Sequence, residues 1–140
     1  MIIRIITGQR KADLISYYNN NFKSYKGDIL LYPETKTWHS YDLTDNIMEN
    51  VHEHINKNKD LIIITYSEIV LDAARLQMAK HSFKNGQCIN VMDNNSVIKS
   101  DIDENGELSE WPTGVFDIKL VILKELFQIK KERREKSNEV

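Results

Sequence analysis

The side chains best placed for chemistry are Thr65, Tyr66, Ser67 and Glu68, which follow the apolar run Leu61, Ile62, Ile63, Ile64 and precede a helical pattern. An apolar run without alternation predicts a strand buried on both faces. In open α/β sheets the turn after such a strand is where ligands sit, so function is sought first at residues 65–68. A second candidate is Thr7-Gly8-Gln9-Arg10-Lys11-Ala12-Asp13, between a predicted strand and a predicted helix. Strand, glycine turn and helix is the frame of a phosphate-binding loop, because helix amides and dipole point at an anion there. The working pattern GxxxxGK[ST] needs a glycine before the lysine to wrap the phosphates and a hydroxyl after it to hold magnesium. Arg10 and Ala12 occupy those places and Asp13 adds negative charge, so Gly8 and Lys11 amount to a weak, degenerate anion site. A plain helix start after a glycine turn accounts for the same residues.

Other reactive residue types are scattered. His52 and His54 are two apart, which puts them on different sides of a helix, whereas a helical metal pair needs i, i+4 spacing. With His39 and His81 elsewhere, no histidine metal centre is expected. Cys88 is the one cysteine and falls in a predicted strand, so it reads as a small core residue rather than a reactive thiol. It also excludes an internal disulfide and a cysteine-based zinc site. The carboxylates at 101, 103, 104 and 107 lack the ligand spacing and closing glutamate of an EF-hand. No metal and no cofactor is expected.

The elements that would position these residues follow from periodicity. Strands are predicted at 1–7, 28–32 and 61–64, and a hairpin at 87–92 and 96–101 turns through Asp93-Asn94-Asn95. Helices are predicted at 11–22, at 40–55 with Leu43, Ile47, Val51 and Ile55 every four residues, after Glu68 with Ile69, Ala73, Leu76 and Ala79 near one side, and at 115–129. The order βαβαβα, hairpin, helix implies one α/β domain over residues 1–130, with a mostly parallel sheet, an antiparallel edge hairpin and a C-terminal helix. Residues 131–140 form a charged helix end or flexible tail. A chain of 140 residues with 41% hydrophobic and 29% charged residues is long enough for a real core. Its net charge of −2 gives no field to draw in nucleic acid or an acidic membrane. The beginning, MIIRIITGQRK, is too short and too quickly charged for a secretory signal. These features predict a cytoplasmic protein with neither a nucleic-acid nor a membrane partner, and its Lys, Asn and Ile usage resembles that of AT-rich genomes, many phages included.

Three stretches carry two resemblances. Strand, Thr65-Tyr66-Ser67-Glu68, helix resembles the strand, Thr-His-Ser-Glu, helix segment that closes the nucleotide site of ABC-type ATPases of the overcoming-lysogenization-defect and related bacterial families. The apolar strand 28–32 with Pro33-Glu34 and the turn holding His39 resembles the segment after their Walker B strand. The order hairpin, Asp103-Glu104-Asn105-Gly106, Trp111-Pro112-Thr113-Gly114-Val115-Phe116-Asp117, helix is similar to the uncharacterised domain that closes a family of predicted AAA/ABC-type ATPases, which commonly ends on DGxxxxWPxGFFD. Val115 replaces a phenylalanine of that motif.

The resemblance implies a degenerate P-loop-like fold matching the carboxyl-terminal half of such an ATPase head and its appended domain. It also implies what is missing. The family's γ-phosphate histidine is Tyr66, a phenol that stays protonated until near pH ~10 and cannot replace imidazole chemistry. The two acidic positions are Leu31 and Tyr32, which can neither ligate a hard cation nor take a proton at neutral pH. Catalytic residues are therefore not expected, and the implied role is that of a pseudo-ATPase: a regulator, decoy or inhibitor binding a larger ATPase or nuclease complex, in the manner of a phage protein, or associating with itself. The alternative is a small enzyme with a residual nucleotide or phosphate-ester site at Gly8, Lys11, Glu34, Tyr66, Ser67 and Glu68. Trp111 and Phe116 would pack the last helix on the sheet or face a partner. With Phe127 on the wide apolar face of that helix, they are the partner-binding candidates.

Overall fold

The structure, a computed structural model, describes residues 1–8, 10–32, 40–65, 67–92, 96–110 and 117–138, with the backbone alone for Lys11, Tyr32, Ser40 and residues 117–124. In chain order the elements are β1 (Ile3–Gly8), α1 (Lys11–Asn21), β2 (Asp28–Tyr32), α2 (Ser40–Lys57), β3 (Leu61–Thr65), α3 (Glu68–Lys80), β4 (Gly86–Val91), β5 (Val97–Ile102) and α4 (Asp117–Asn138). The sheet order is β2-β3-β1-β4-β5. β2, β3, β1 and β4 run parallel, and β5 closes one edge antiparallel to β4. The protein is thus α/β with a mostly parallel sheet, an antiparallel edge hairpin and a C-terminal helix, as the order of apolar runs predicts.

Two-sided burial of the central strands explains their composition. Every residue of β3 is buried, and successive side chains feed two cores. Ile3, Ile5, Leu61, Ile63 and Cys88 face α2 and α3, where they meet Leu43, Ile47, Val51, Val70, Leu71, Ala74 and Met78. Ile6, Ile62, Ile64, Ile89 and Val91 face α1, meeting Leu14 with Tyr17, Tyr18, Phe22 and Tyr25 around it. α1 lies close to the sheet because Gly8 lets it: a Cβ there would come within 2.8 Å of the Val91 carbonyl oxygen and 2.9 Å of Leu14.

The stripe expected for the third helix is corrected. Ile69 and Leu76 are 46% and 50% exposed, and the buried residues of α3 are Val70, Leu71, Ala73, Ala74 and Met78. α3 must cover the sheet and contact α2 together, so its buried surface is a wedge that includes alanines, displaced by about one residue from the stripe that the larger side chains suggest. The last helix also extends beyond its apolar segment, through Lys130 and its neighbours to Asn138, because Lys, Arg and Glu are good helix formers and Gln128 bonds Glu132 one turn on.

His54 fastens the β2 edge to α2. It is 8% exposed, and its ring nitrogens lie 2.6 Å from the Asn50 carbonyl oxygen and 2.8 Å from Asp28 Oδ2. Among the described residues no helix is long and apolar enough to cross a membrane.

Cys88 is buried at the centre of the sheet, as expected of a small core residue. Burial pushes its thiol up to about 12 from an ordinary value of 9.0, against a smaller lowering by Arg75. Tyr25 is likewise raised to about 12 from 10.0, chiefly by burial and then by Asp60. Below pH 9 neither group titrates, and its contribution to stability is complete. Above that, the unfolded chain gives up protons that the folded chain keeps, so stability falls as pH rises toward 12, first through Cys88 and then also through Tyr25. Urea unfolding as a function of pH should show this fall, and Cys88→Ala should be flatter between pH 9 and 10 than the parent.

Candidate functional site

The carboxyl ends of β2, β3, β1 and β4 form one rim, because these four strands are parallel neighbours. The chain leaves β1 toward α1 on one face and β3 toward α3 on the other, and that divergence between adjacent strands is the topological switch point at which open α/β sheets bind ligands. Of the residues sought there from sequence, Thr65 ends β3 and Ser67 and Glu68 open α3 at this switch point, beside the end of β1.

A row of buried polar side chains runs along this rim. The register pairs Ile6 with Ile64 and Thr7 with Asn90, so Thr65, Thr7 and Asn90 stand side by side on β3, β1 and β4, on the face covered by α3. Thr65 and Thr7 are fully buried and Asn90 nearly so. Thr65 Oγ1 accepts the Ser67 backbone N–H at 3.0 Å, which occupies one of the free amides at the start of α3. Ser67 is the N-cap residue, with extended backbone angles and no side-chain capping bond, and Glu68 opens the helix. Among the described residues Thr7 Oγ1 and Asn90 Oδ1 have no hydrogen-bond partner, although Asn90 Nδ2 reaches Met92 Sδ at 3.0 Å. Buried polar atoms left unsatisfied are costly and uncommon, and they concentrate where a site has a use for them. Sequence reasoning named Thr65, and Thr7 only as the start of the degenerate phosphate-loop stretch, but missed Asn90, because a single polar residue inside an apolar strand carries no motif. The available signal was their shared position near the strand ends.

The other predicted residues divide clearly. Gly8 ends β1 at the rim, but the close approach of Leu14 and Val91 already explains the glycine. Lys11 begins α1, after an N-cap Arg10 that makes no side-chain capping bond, with Asp13 in the first turn. Tyr32 ends β2 beside Thr65, and Leu31, beside Ile64, is 61% exposed. Glu34, His39, Tyr66, Trp111 and Phe116 lie outside the described residues. Phe127 is on α4 and 71% exposed, together with exposed Leu126 and Ile129.

The acidic loop satisfies itself. Asp103 Oδ1 accepts the backbone N–H groups of Asn105 and Glu107, both at 2.9 Å, an Asx-type turn. Gly106 holds φ +76° while Arg75 Nε donates to its carbonyl at 2.7 Å. A Cβ on Gly106 would lie 2.8 Å from the Arg75 carbonyl oxygen, so the loop lies directly on α3. Leu108 then bridges Ile102, Ser109 N–H donates to the Asp101 carbonyl, and Ser100 Oγ donates to the Glu110 carbonyl, which folds the stretch back over β5. Among the described residues no three His, Cys, Asp or Glu side chains are grouped to hold a metal ion.

A family model described as "Protein of unknown function (DUF3696)" matches residues 89–120. Neither a curated protein nor a solved structure matches the chain. The matched segment holds most of β4, the edge strand β5, the self-closed loop and the Trp111–Phe116 motif residues, and it is the same stretch on which the second sequence resemblance rests. Asn90 is inside it; Thr7 and Thr65 are not.

The unpartnered Thr7 hydroxyl can be tested directly. Thr7→Val keeps the shape and removes a buried oxygen that has no partner, so it should stabilise the protein by about 1 kcal/mol in denaturant unfolding. A loss of stability would mean that the hydroxyl is satisfied in solution.

Proposed function

We propose that this chain is a non-catalytic, pseudo-ATPase-like protein that acts by binding, as a regulator, decoy or inhibitor of a larger ATPase or nuclease complex. The supporting observation is the end of β2. Where the resemblance would require acids to hold a magnesium ion and activate water, an exposed Leu31 and then Tyr32 stand beside the β3 end of the rim. A hard divalent cation needs oxygen ligands there, and an apolar side chain offers none. Exposed Leu31 and Ile29 on the same edge strand, with Leu126, Phe127 and Ile129 on α4, instead supply apolar surface of the kind that protein partners cover. The likeness to the DUF3696 model over residues 89–120 is compatible with descent from an ATPase whose last domain carries this segment. A cytoplasmic setting and a phage origin belong to the same reading.

A second reading is favoured by Thr7 Oγ1 and Asn90 Oδ1, unpartnered among the described residues: a residual nucleotide or phosphate-ester site at the rim, where Ser67 caps α3. The two readings separate experimentally. Copurification from the native host should recover a larger ATPase with the wild-type chain and lose it with Leu31→Asp or Phe127→Asp, and repeated recovery of this chain alone would overturn the leading reading. Thermal shift with ATP or GTP and magnesium should show no change. A ligand at 100 times its Kd would add about 2.7 kcal/mol, and that result would favour the residual site.

A further inference from the structure

The packing of α2 on α3 brings together two histidines that are 29 residues apart in sequence. His52 Nδ1 lies 2.8 Å from His81 Nε2, and the ring centroids are 4.8 Å apart. His52 is exposed on α2, and His81 is half-buried at the C-cap of α3, where its backbone N–H reaches the Gln77 and Met78 carbonyls. Sequence spacing excludes a pair on one helix, and that remains correct: His54 points the other way, into the β2 contact. The pair forms between helices, which spacing within either helix cannot reveal. It lies at the amino-terminal edge of the sheet, because α2 and α3 both run back from the rim, so it is separate from the switch-point site.

From this geometry we infer that His52 and His81 form a binding site for a borderline divalent transition-metal ion. Two ring nitrogens this close either share one proton in an ordinary N–H···N hydrogen bond or, with that proton displaced, can both turn a lone pair to one metal ion. Nitrogen ligands about 2.0–2.1 Å from a metal are about 2.9 Å apart at a right angle and about 3.3 Å apart at a tetrahedral one. The observed 2.8 Å fits the right-angled arrangement of Cu²⁺ or Ni²⁺ as it stands, and opening by about half an ångström would admit Zn²⁺. Imidazole suits these ions and not Mg²⁺ or Ca²⁺.

The surroundings suit the same purpose. Asn56 Nδ2 lies 2.9 Å from His52 Nε2 and Gln77 Nε2 lies 3.3 Å from His81 Nε2. Amide nitrogen and oxygen exchange places by a flip of the side chain. Flipped, Asn56 accepts the His52 Nε2–H, fixing the tautomer that leaves Nδ1 free for metal, as outer partners of metal-bound histidines do. Flipped, Gln77 presents its oxygen toward the ion as a further ligand. The negative end of the α3 dipole favours a cation at His81, the C-cap residue. Water fills the remaining coordination positions.

The test uses the untagged full chain. Copper(II) should bind one per chain, with an electron-paramagnetic-resonance spectrum showing coupling to two nitrogens, and Ni²⁺ and Zn²⁺ should raise the melting temperature while Mg²⁺ does not. His52→Ala and His81→Asn should each reduce the copper signal to one nitrogen or abolish it, and Asn56→Ala, a positioning change, should weaken binding by about tenfold with both nitrogens retained. His52→Gln serves as the second variant if His52→Ala folds poorly, since Gln is a good helix former at an exposed helical position. No binding of any of the three transition ions, or binding that survives the His52→Gln, His81→Asn double variant, would overturn the inference.

Discussion

The arrangement depends on the burial of β3 and β1 from both sides. A strand such as Leu61–Thr65, with every residue buried, cannot be satisfied by helices on one face alone. The chain answers by sending the connection after β1 to one face and the connections after β2 and β3 to the other. That division opens the switch point between the ends of β1 and β3, and it packs α2 against α3 on a common face. Both the polar row at the rim and the histidine pair at the opposite edge are consequences of it. α3 spans the two: about 20 Å of helix, at 1.5 Å per residue, leads from Glu68 at the rim to the His81 cap.

Much of this was legible because large apolar residues announce themselves. The unbroken run in β3 and the four-residue repeat of Leu43, Ile47 and Val51 fix element type without tertiary information, while the turn expected at Asp93–Asn95 lies outside the described residues. The buried face of α3 was not legible, since its contacts are made partly by Ala73 and Ala74, while larger Ile69 and Leu76 point outward. Small residues at a tight helix–helix and helix–sheet junction carry little hydropathy signal although the packing requires them. The chemistry was less legible still. His52 with His81, and Thr7 with Asn90, are each joined only by the fold, across two helices in one case and two strands in the other. Position 65 was found because it lies next to a turn, a local feature of the sequence.

What the rim can bind follows from its donor types. Two hydroxyls, an amide and the amides at the start of α3 can hydrogen-bond a neutral or anionic group, and among the described residues no three His, Cys, Asp or Glu side chains are grouped to hold a metal ion. Phosphoryl transfer asks for charge stabilisation on the transferred group, ordinarily from a metal together with lysine or arginine. Gly8, which ends β1 at the rim, is required by the approach of α1 to the sheet, so its presence needs no phosphate to explain it.

The two edges of the sheet are finished differently. Beyond β5, the chain covers its own edge: Gly106 seats on α3, Leu108 bridges Ile102, and Ser109 and Glu110 bond back to the strand. The β2 edge has no strand beyond it among the described residues, and it exposes Ile29 and Leu31. Exposed apolar edge strands invite pairing with another chain, and proteins ordinarily blunt them. Within the segment similar to the DUF3696 model, Gly106, Ser100 and Ser109 have structural reasons of their own, since they fold the loop onto α3 and back over β5. At the opposite edge His54 and Asp28 hold β2 against α2, while Ile29 and Leu31 stay exposed.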